Sequence, residues 1–406
     1  MDNSIVIMSK NLRYLFFRFL KIGATSWGGY MALTAMIEKQ MCEIDKAIEE
    51  EKVVHAISLA SVLPGPVAVN VVAYIGYQLK GIKGALVSMT AVLIPCFILM
   101  IILSYVYFTY GNVPAFNNFF TGAMPAVAAL LISVAFNMWR KNVKDIAQVL
   151  IAITALLSIL FIHSAYTTIL VIILSAIAGH IIYKKNIPVV PDEKNNSIET
   201  TVSKSFLLKP LAFIIIALAV LTTAYYVFKE NPSIQLYKEI LLTFSGLSIS
   251  QFGGGFVVIP AMQKVIVDAL HWLSNKEFTD AIAMGQITPG PIYISAAFIG
   301  YKLDGIPGAF ASTIAIYLPA ACVMLLCAKF MEPIIASPVV KACFKGITAA
   351  VTGMIAAAGC TILYKMPGIS VSLICISMIS LLLFIKYKLS PVYVIPLAGI
   401  AGLLIF

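Results

Sequence analysis

Two Pro-Gly-Pro triplets are the residues whose types and spacing suggest chemistry most directly. Pro64-Gly65-Pro66 recurs as Pro289-Gly290-Pro291, and each triplet lies between two apolar runs. The first proline ends the incoming helix, glycine permits an unusual turn, and the second proline suits the first position of a new helix. Each new helix then begins with free N–H groups, predicted at residues 67–69 and 292–294. Because these amides and the helix dipole carry partial positive charge, they predict an anion-binding site.

Clustered glycines form a second pair of matched interruptions. Gly28-Gly29 follows Thr25-Ser26-Trp27, and Gly253-Gly254-Gly255 follows Ser250-Gln251-Phe252. Glycine inside an apolar helix costs about 1 kcal/mol relative to alanine. The glycines therefore either admit a close-packed neighbouring helix or unwind the chain and expose backbone polar groups. The run of three glycines favours unwinding, although packing here, and simple kinks at the Pro-Gly-Pro triplets, are the structural alternatives.

Polar side chains near the four interruptions complete the predicted site. Asp280 lies nine residues before Pro289, and its counterpart His55 lies nine residues before Pro64. Ionisable groups in membrane segments are functional candidates, so both are coupling candidates, with an interfacial location beside charged loops as the alternative. The predicted substrate-binding residues are Gly28, Gly29, Pro64, Gly65, Pro66 and Asn70 in the first half, and Ser250, Gln251, Gly253, Gly254, Gly255, Gln286, Thr288, Pro289, Gly290, Pro291, Tyr293 and Ser295 in the second.

The composition places these elements in a membrane. The chain has 406 residues, of which 61% are hydrophobic and 11% are charged, whereas a soluble domain carries about 25% charged residues. A membrane-crossing helix needs about 20 apolar residues. This composition excludes a secreted domain, a soluble enzyme and a nucleic-acid-binding protein. The sequence also contains no CxxC pair, HExxH, GxSxG or Walker A motif, so we predict no catalytic residue, no metal and no cofactor.

Apolar periodicity predicts an all-α polytopic membrane protein. About a dozen membrane-crossing helices fit the length of the chain. The lipid bilayer is therefore a predicted partner of the protein. The thirteen predicted apolar segments are 12–37, 54–79, 84–108, 118–139, 145–162, 165–183, 209–228, 238–263, 277–303, 308–331, 341–364, 368–385 and 389–406.

The two halves of the chain repeat one pattern. The Pro-Gly-Pro triplets and the glycine clusters recur at an offset of 225 residues. At an offset of 224, residues 75–85 match residues 299–309 with eight identities in eleven positions. We conclude that the chain is internally duplicated. The predicted domains are a first repeat at 1–184, a polar linker at 185–206, a connecting transmembrane helix at 207–230 and a second repeat at 231–406.

Counting segments predicts that the second repeat is inverted. Six segments precede the connecting helix, so an odd number of crossings separates the copies, and pairs of re-entrant segments would not change this parity. Basic loops predict a cytoplasmic N-terminus in the cell inner (plasma) membrane. The basic residues predicted inside are Lys10, Arg13, Arg18, Lys80, Lys83, Arg140, Lys141, Lys144, Lys184, Lys185, Lys264, Lys276, Lys341, Lys386 and Lys388, and those predicted outside are Lys229, Lys238, Lys302 and Lys365.

The repeated motifs resemble the long, two-domain form of the chromate ion transporter family. In the first copy the resemblance is carried by residues 19–29, the first Pro-Gly-Pro triplet and Ile75-Gly76-Tyr77. The second copy shows it more cleanly, in residues 251–255, 286–291 and 299–301. It spans 12–183 and 238–406. The resemblance implies export of chromate, coupling to the proton gradient and antiparallel halves.

We therefore predict a secondary transporter of a small inorganic oxyanion built from two inverted repeats of about six helical segments with Gly/Pro-broken helices. The broken helices would line one site near the membrane midplane, because inverted repeats interrupted at matching positions are typical of transporter sites. A carrier of sulfate or of a small organic anion is the alternative within transport. A non-transporting membrane scaffold and a membrane-embedded lipid enzyme are alternatives from other classes. The oligomeric state is left open, with a homodimer among the options.

Overall fold

The computed structural model of the chain describes residues 11–27, 29–111, 113–162, 167–184, 232–251, 255–327, 337–366 and 370–406. These residues form helices joined by short turns. The predicted polar linker and connecting helix lie outside the described residues, as do Gly28, Gly253 and Gly254.

In the first copy, the described residues form seven helices. They are α1 (Leu12–Thr25), α2 (Gly29–Ile37, continued by a π-helix over Glu38–Ile44), α3 (Glu50–Val62), α4 (Val67–Tyr110), α5 (Pro114–Asn142), α6 (Ile146–Phe161) and α7 (Thr167–Tyr183). Local sequence explains several starts: Asn11 and Asp145 accept hydrogen bonds from backbone N–H groups in the first turns of α1 and α6, and Pro114 occupies the first turn of α5.

In the second copy, the described residues form the same succession of elements. They are α8 (Pro232–Ser250), a 3-10 turn (Gly255–Val257), α9 (Val258–Met262, continued by a π-helix over Gln263–Ala269), α10 (Asn275–Ile287), a 3-10 turn (Ile292–Ile294) that leads directly into α11 (Ser295–Cys327), α12 (Pro338–Tyr364), α13 (Val371–Ile385) and α14 (Pro391–Ile405).

The copies also share rare backbone conformations at equivalent positions. Gly65 and Gly290 have φ of 100° and 104°, and Gly81 and Gly305 have φ of 61° and 56°. Both π-helices begin at positions related by the same 225-residue offset. Positive φ is readily adopted only by glycine, and π-helices are rare. Their recurrence in register supports duplication of one structural unit.

The half-length helices of the first copy fold back on each other in pairs. The Nε of Arg18 in α1 lies 2.9 Å from a carboxylate oxygen of Asp45, which follows α2. The rings of His55 in α3 and Tyr74 in α4 lie 5.9 Å apart, centroid to centroid. Each pair thus has its outer ends together. The segments predicted over 12–37 and 54–79, each with a break at its glycine or proline cluster, are therefore hairpins of two shorter helices.

A second reversal divides α4 into two antiparallel parts. Lys80 and Gly81 leave helical geometry. A Cβ built on Gly76 would lie 2.5 Å from the carbonyl oxygen of Gly84 and 2.7 Å from the Ser88 hydroxyl. Residues so far apart in sequence meet only because the chain reverses. In α11 the same break falls at Asp304–Gly305, and both helices continue from it as long apolar runs.

The hairpins of the second copy contradict the predicted sides of the membrane for several lysines. We predicted Lys264 and Lys276 on one side and Lys302 and Lys365 on the other. However, Lys264 and Lys365 both pair with Asp268, at 3.3 and 3.4 Å. The ammonium of Lys302 lies 2.5 Å from the glutamate that follows Lys276. All four lysines lie at one end of the molecule because α10 folds back instead of crossing, so that prediction was wrong.

Among the described residues, four helical stretches are long and apolar enough to cross a membrane: Val67–Tyr110, Pro114–Asn142, Ile292–Leu326 and Pro338–Tyr364. Glycines bring helices of different copies close together. A Cβ on Gly402 of α14 would lie 2.7 Å from the Cα of Gly122 in α5, and a Cβ on Gly346 of α12 would lie 3.0 Å from the Cα of Gly179 in α7. The two copies are thus interlocked along their lengths.

We expect Gly76→Ala to destabilise the fold by about 1–3 kcal/mol, because the added methyl would overpack the α4 hairpin. Gly246→Ala is the matched control, since a Cβ there meets nothing within 4 Å. It should be neutral or stabilising by up to about 1 kcal/mol. Thermal or denaturant unfolding of both variants in detergent measures the difference. Equal stability of the two variants would contradict the hairpin.

Candidate functional site

Each Pro-Gly-Pro turn is hydrogen-bonded to the interrupted segment of the other copy. The N–H of Gly65 donates to the carbonyl of Gln251 at 2.8 Å, and the N–H of Gly290 donates to the carbonyl of Ser26 at 2.9 Å. Ser26 and Gln251 are equivalent positions in the two repeats, so the bonds are reciprocal. They bring all four helix interruptions to one place, which we call the crossing.

Helix geometry explains why these groups are free to pair. The chain leaves α1 at Ser26, whose backbone N–H and side-chain hydroxyl both bond to the carbonyl of Ile22, at 3.0 and 2.6 Å. The carbonyl of Ser26 itself lies beyond the helix and needs a donor. Backbone polar groups inside an apolar protein must be satisfied internally. The amide of Gly290 supplies that donor, and Gly65 does the same for Gln251.

The crossing packs against the middle of the long parts of α4 and α11. A Cβ on Gly290 would lie 3.3 Å from both Cβ and Sγ of Cys96. A Cβ on Gly65 would collide with Ala320, which is the equivalent of Cys96. Both glycines also have positive φ. Glycine is required at these positions for conformation and for space.

A small cavity lies at the crossing, between the starts of the two returning helices. Its volume is about 20 Å³, which is enough to admit a water molecule. It is lined by Pro66, Val67, Ala68, Gly255, Phe256, Gly285, Gln286, Gly290, Pro291, Ile292 and Tyr293.

Two backbone amides at each helix start point to no acceptor within their own helix. We predicted three at each start, but Val69 donates to the carbonyl of Pro66 at 3.0 Å, and Ile294 donates to the carbonyl of Pro291 at 3.0 Å. That part of the prediction was wrong, because the first turn closes on the proline carbonyl. The free amides are those of the cavity-lining residues 67, 68, 292 and 293.

Two side chains of the second copy bring unpartnered polar atoms to the cavity. Gln286 and Tyr293 are only 6% and 1% exposed. Neither Nε2 of Gln286 nor the hydroxyl of Tyr293 has a hydrogen-bond partner. Leaving a buried donor unpaired costs about 1–3 kcal/mol. Two such donors on one cavity indicate a site for a ligand that accepts hydrogen bonds.

The other predicted residues occupy different positions around the crossing. The side-chain amide of Asn70 donates to the carbonyl of Pro64 at 3.0 Å, and the hydroxyl of Thr288 donates to Gly285 at 3.1 Å. Polar residues that were predicted in the site but do not line the cavity are Asn70, Ser250, Gln251, Thr288 and Ser295. Gly29 begins α2, and of the glycine triplet Gly255 lines the cavity.

Sequence reasoning missed Gly285 and Phe256, which line the cavity. Gly285 lies one residue before Gln286, and a glycine next to a predicted site residue was the available signal. Phe256 directly follows the glycine triplet in an apolar run, where nothing distinguishes it. Cys96 and Ala320 were also missed, although each follows a proline that recurs between the repeats.

Asp280 is buried and bridges the two copies. It is 1% exposed, and its Oδ2 accepts a hydrogen bond of 2.7 Å from the hydroxyl of Tyr107 in α4. Its Oδ1 has no partner. A separate cavity of about 210 Å³ lies beside Tyr107 and extends to Lys276 and Glu277. The alternative location at the membrane interface is therefore compatible with the half-buried His55, but it does not agree with the burial of Asp280.

Helices long enough to cross a membrane, paired half-length helices and a buried polar site define this chain as a multi-pass membrane protein with a transporter architecture. A family comparison agrees, because the chromate transporter model matches residues 13–180 and 238–403. The chain belongs to the chromate transporter family. That this is a family of transporters supports the expectation that the chain is not an enzyme.

Several relatives are similar over nearly the full length. The chain is 28% identical to a probable chromate transport protein of Synechococcus elongatus, over 97% of this chain and 95% of the relative. It is 27% identical to the chromate transport protein of Cupriavidus metallidurans, over 97% and 93%. It is 29% identical to the chromate transport protein of Pseudomonas aeruginosa, over 97% and 92%. No solved structure shows significant similarity to the chain.

We expect Tyr107→Phe to lower the free energy of unfolding by about 1–3 kcal/mol, because it leaves both carboxylate oxygens of the buried Asp280 without a partner. Tyr105→Phe is the matched control, since Tyr105 lies on the same helix and is 53% exposed. Its effect should stay within about 0.5 kcal/mol. Denaturant unfolding in detergent compares them, and a Tyr107 effect as small as the control would rule out the bridge.

Proposed function

We propose that this chain is a secondary transporter of a small oxyanion, with chromate as its first substrate. The observation that carries the proposal is the pair of unpartnered donors, Gln286 Nε2 and the Tyr293 hydroxyl, on a cavity at two helix starts. Helix starts and neutral donors suit anions. Family membership and the names of the full-length relatives support chromate as the substrate.

We propose further that the two repeats are inverted in the membrane. The far end of α4, at Tyr107, contacts Asp280 near the outer end of the α10 hairpin. Lys276 of that hairpin also donates to Asn117, at the start of α5. The hairpins of the first copy meet the opposite end of α4, at Lys80. Hairpins at opposite ends of one spanning helix support inverted repeats.

The sorting of charge supports an N-terminus in the cytoplasm and a location in the inner (plasma) membrane. The end that contains the reversal of α4 has Lys80 and Lys83, and the loop after α5 adds Arg140, Lys141 and Lys144. At the other end, lysines pair with Asp268 and Glu277. Short loops rich in lysine and arginine are typical of the cytoplasmic side.

Transport would proceed by alternating exposure of the crossing. A site of about 20 Å³ must open toward each side in turn, through relative motion of the two copies. We propose export as the direction. The coupling group is Asp280, because it is buried, bridges the copies and has one unpartnered oxygen; His55 is its counterpart in the first copy. A gradient can drive the anion only if the two states bind it differently.

Proteoliposome flux tests the proposal. We expect Gln286→Leu and Tyr293→Phe each to reduce chromate flux by about 10- to 100-fold, because each removes one donor to a desolvated anion. Ser61→Ala is the matched control: Ser61 is the repeat equivalent of Gln286, but its hydroxyl is exposed and bonds to the carbonyl of Ile57. It should keep full flux.

The same liposomes separate the alternatives. Flux of sulfate or a small carboxylate in place of chromate would identify a different carrier, and no flux of any anion would favour a scaffold. The pH is held constant in the compartment from which the anion leaves, and a proton gradient is applied by changing the pH of the other compartment. Under these conditions Asp280→Asn should still exchange anions, but the proton gradient should no longer accelerate the flux. Unchanged acceleration would exclude Asp280 as the coupling group.

If the two repeats are inverted, equivalent positions in the two copies should be accessible to a labelling reagent from opposite sides of the membrane. Lys141 and Lys365 are related by the 224-residue offset, and both are exposed. In a background without the seven native cysteines, Lys141→Cys should react with an impermeant thiol reagent only from the cytoplasmic side. Lys365→Cys should react only from the other side. Labelling of both from one side would refute inverted repeats.

A further inference from the structure

We propose that the crossing binds its substrate as a monoanion, so that a divalent oxyanion such as chromate enters in its singly protonated form. The proposal rests on the proposed function and specifies the substrate of the same site. It is carried by the charge and the hydrogen-bonding groups of the cavity at the crossing.

No charged side chain among the described residues lines the cavity, whether arginine, lysine, aspartate or glutamate. The positive potential therefore comes from the helix starts at Val67 and Ile292, whose helices run for about a dozen residues before each reversal. Each helix start is equivalent to roughly half an elementary charge. The carboxyl ends of α3 and α10, which stop at the same Pro-Gly-Pro turns, oppose this potential. The two helix starts therefore compensate at most about one negative charge and leave the second charge of a dianion without a partner.

An uncompensated charge is expensive at this position. Gly290 packs on Cys96 and Gly65 on Ala320, so apolar helices enclose the cavity. An isolated ion in such surroundings costs several kcal/mol even after relaxation. Binding a proton to the anion avoids that cost, because it halves the buried charge without requiring a cationic side chain.

The hydrogen-bonding groups also suit a protonated anion. A fully deprotonated oxyanion only accepts hydrogen bonds, whereas a hydrogen oxyanion also donates one. The Tyr293 hydroxyl can accept as well as donate. The cavity therefore offers donors together with one hydroxyl, that of Tyr293, which can also accept the proton of a hydrogen oxyanion.

The surrounding titratable groups do not supply the missing charge. The Tyr317 hydroxyl bonds to the carbonyl of Pro291 at 3.3 Å, and Cys96 packs on Gly290; neither side chain provides a cation in any protonation state. Tyr293 is likewise neutral or negative. Asp280 lies six residues before Gln286, about 9 Å along α10, and its ionised form would add negative charge.

Equilibrium binding of three tetrahedral anions to the full chain in detergent tests the inference. Perrhenate is a monoanion at every pH used, sulfate is a dianion, and chromate gains one proton near neutral pH. We expect perrhenate to bind at least tenfold more tightly than sulfate, independently of pH. The apparent Kd for chromate should rise about tenfold per pH unit above the pKa of the anion.

The variant Asp280→Asn locates the proton. If the proton resides on the anion, the pH dependence of chromate binding persists in this variant. Loss of that dependence would place the proton on Asp280 and overturn the inference. Sulfate binding as tight as perrhenate, or chromate binding that does not change with pH, would also overturn it while leaving anion transport intact. Failure of all three anions to bind would remove the proposed function together with the inference.

Discussion

The structure depends on one reciprocal pair of backbone hydrogen bonds, from Gly65 to Gln251 and from Gly290 to Ser26. Backbone groups freed by broken helices cannot remain unpaired among apolar helices. Each copy breaks its helices in two places, and each break presents either a free amide or a free carbonyl. Because the donor of one copy meets the acceptor of the other, neither copy can complete the crossing alone. The two copies therefore build one crossing together.

Building the site from helix starts has a chemical consequence. Backbone amides at 67, 68, 292 and 293 hold a modest positive potential in place without a lysine or arginine whose charge would need its own partner. Under the proposed function, such a weakly charged site can release a small anion as well as bind it. The ionisable group that bridges the copies, Asp280 with Tyr107, is separate from it along α10. In the proposed mechanism, anion binding and proton coupling therefore involve different groups that are linked through one helix.

The repeats are alike in backbone but not in side chains. Gln286 and Tyr293, which bring the unpartnered donors, correspond to Ser61 and Ala68 in the first copy. The first copy therefore contributes mainly backbone and an apolar wall, whereas the second contributes the side-chain donors. An approximate twofold arrangement thus holds an asymmetric site. A ligand with unlike faces, such as an anion carrying one proton, fits this asymmetry better than a symmetric one.

The sequence by itself determined that the chain is an all-helical membrane protein with a duplicated set of helix breaks. The flanking prolines and the conformational freedom of glycine predict a tight turn at Gly65 and at Gly290. Local rules also predicted the free amides, apart from Val69 and Ile294, which bond to a proline carbonyl. Only the tertiary structure decided which break meets which, that Asp280 is buried against Tyr107, and that Lys264 and Lys276 lie beside Lys365 and Lys302. Those contacts join residues far apart in sequence, and their partners are fixed by how the helices fold back and interlock, which local propensity and hydropathy do not encode.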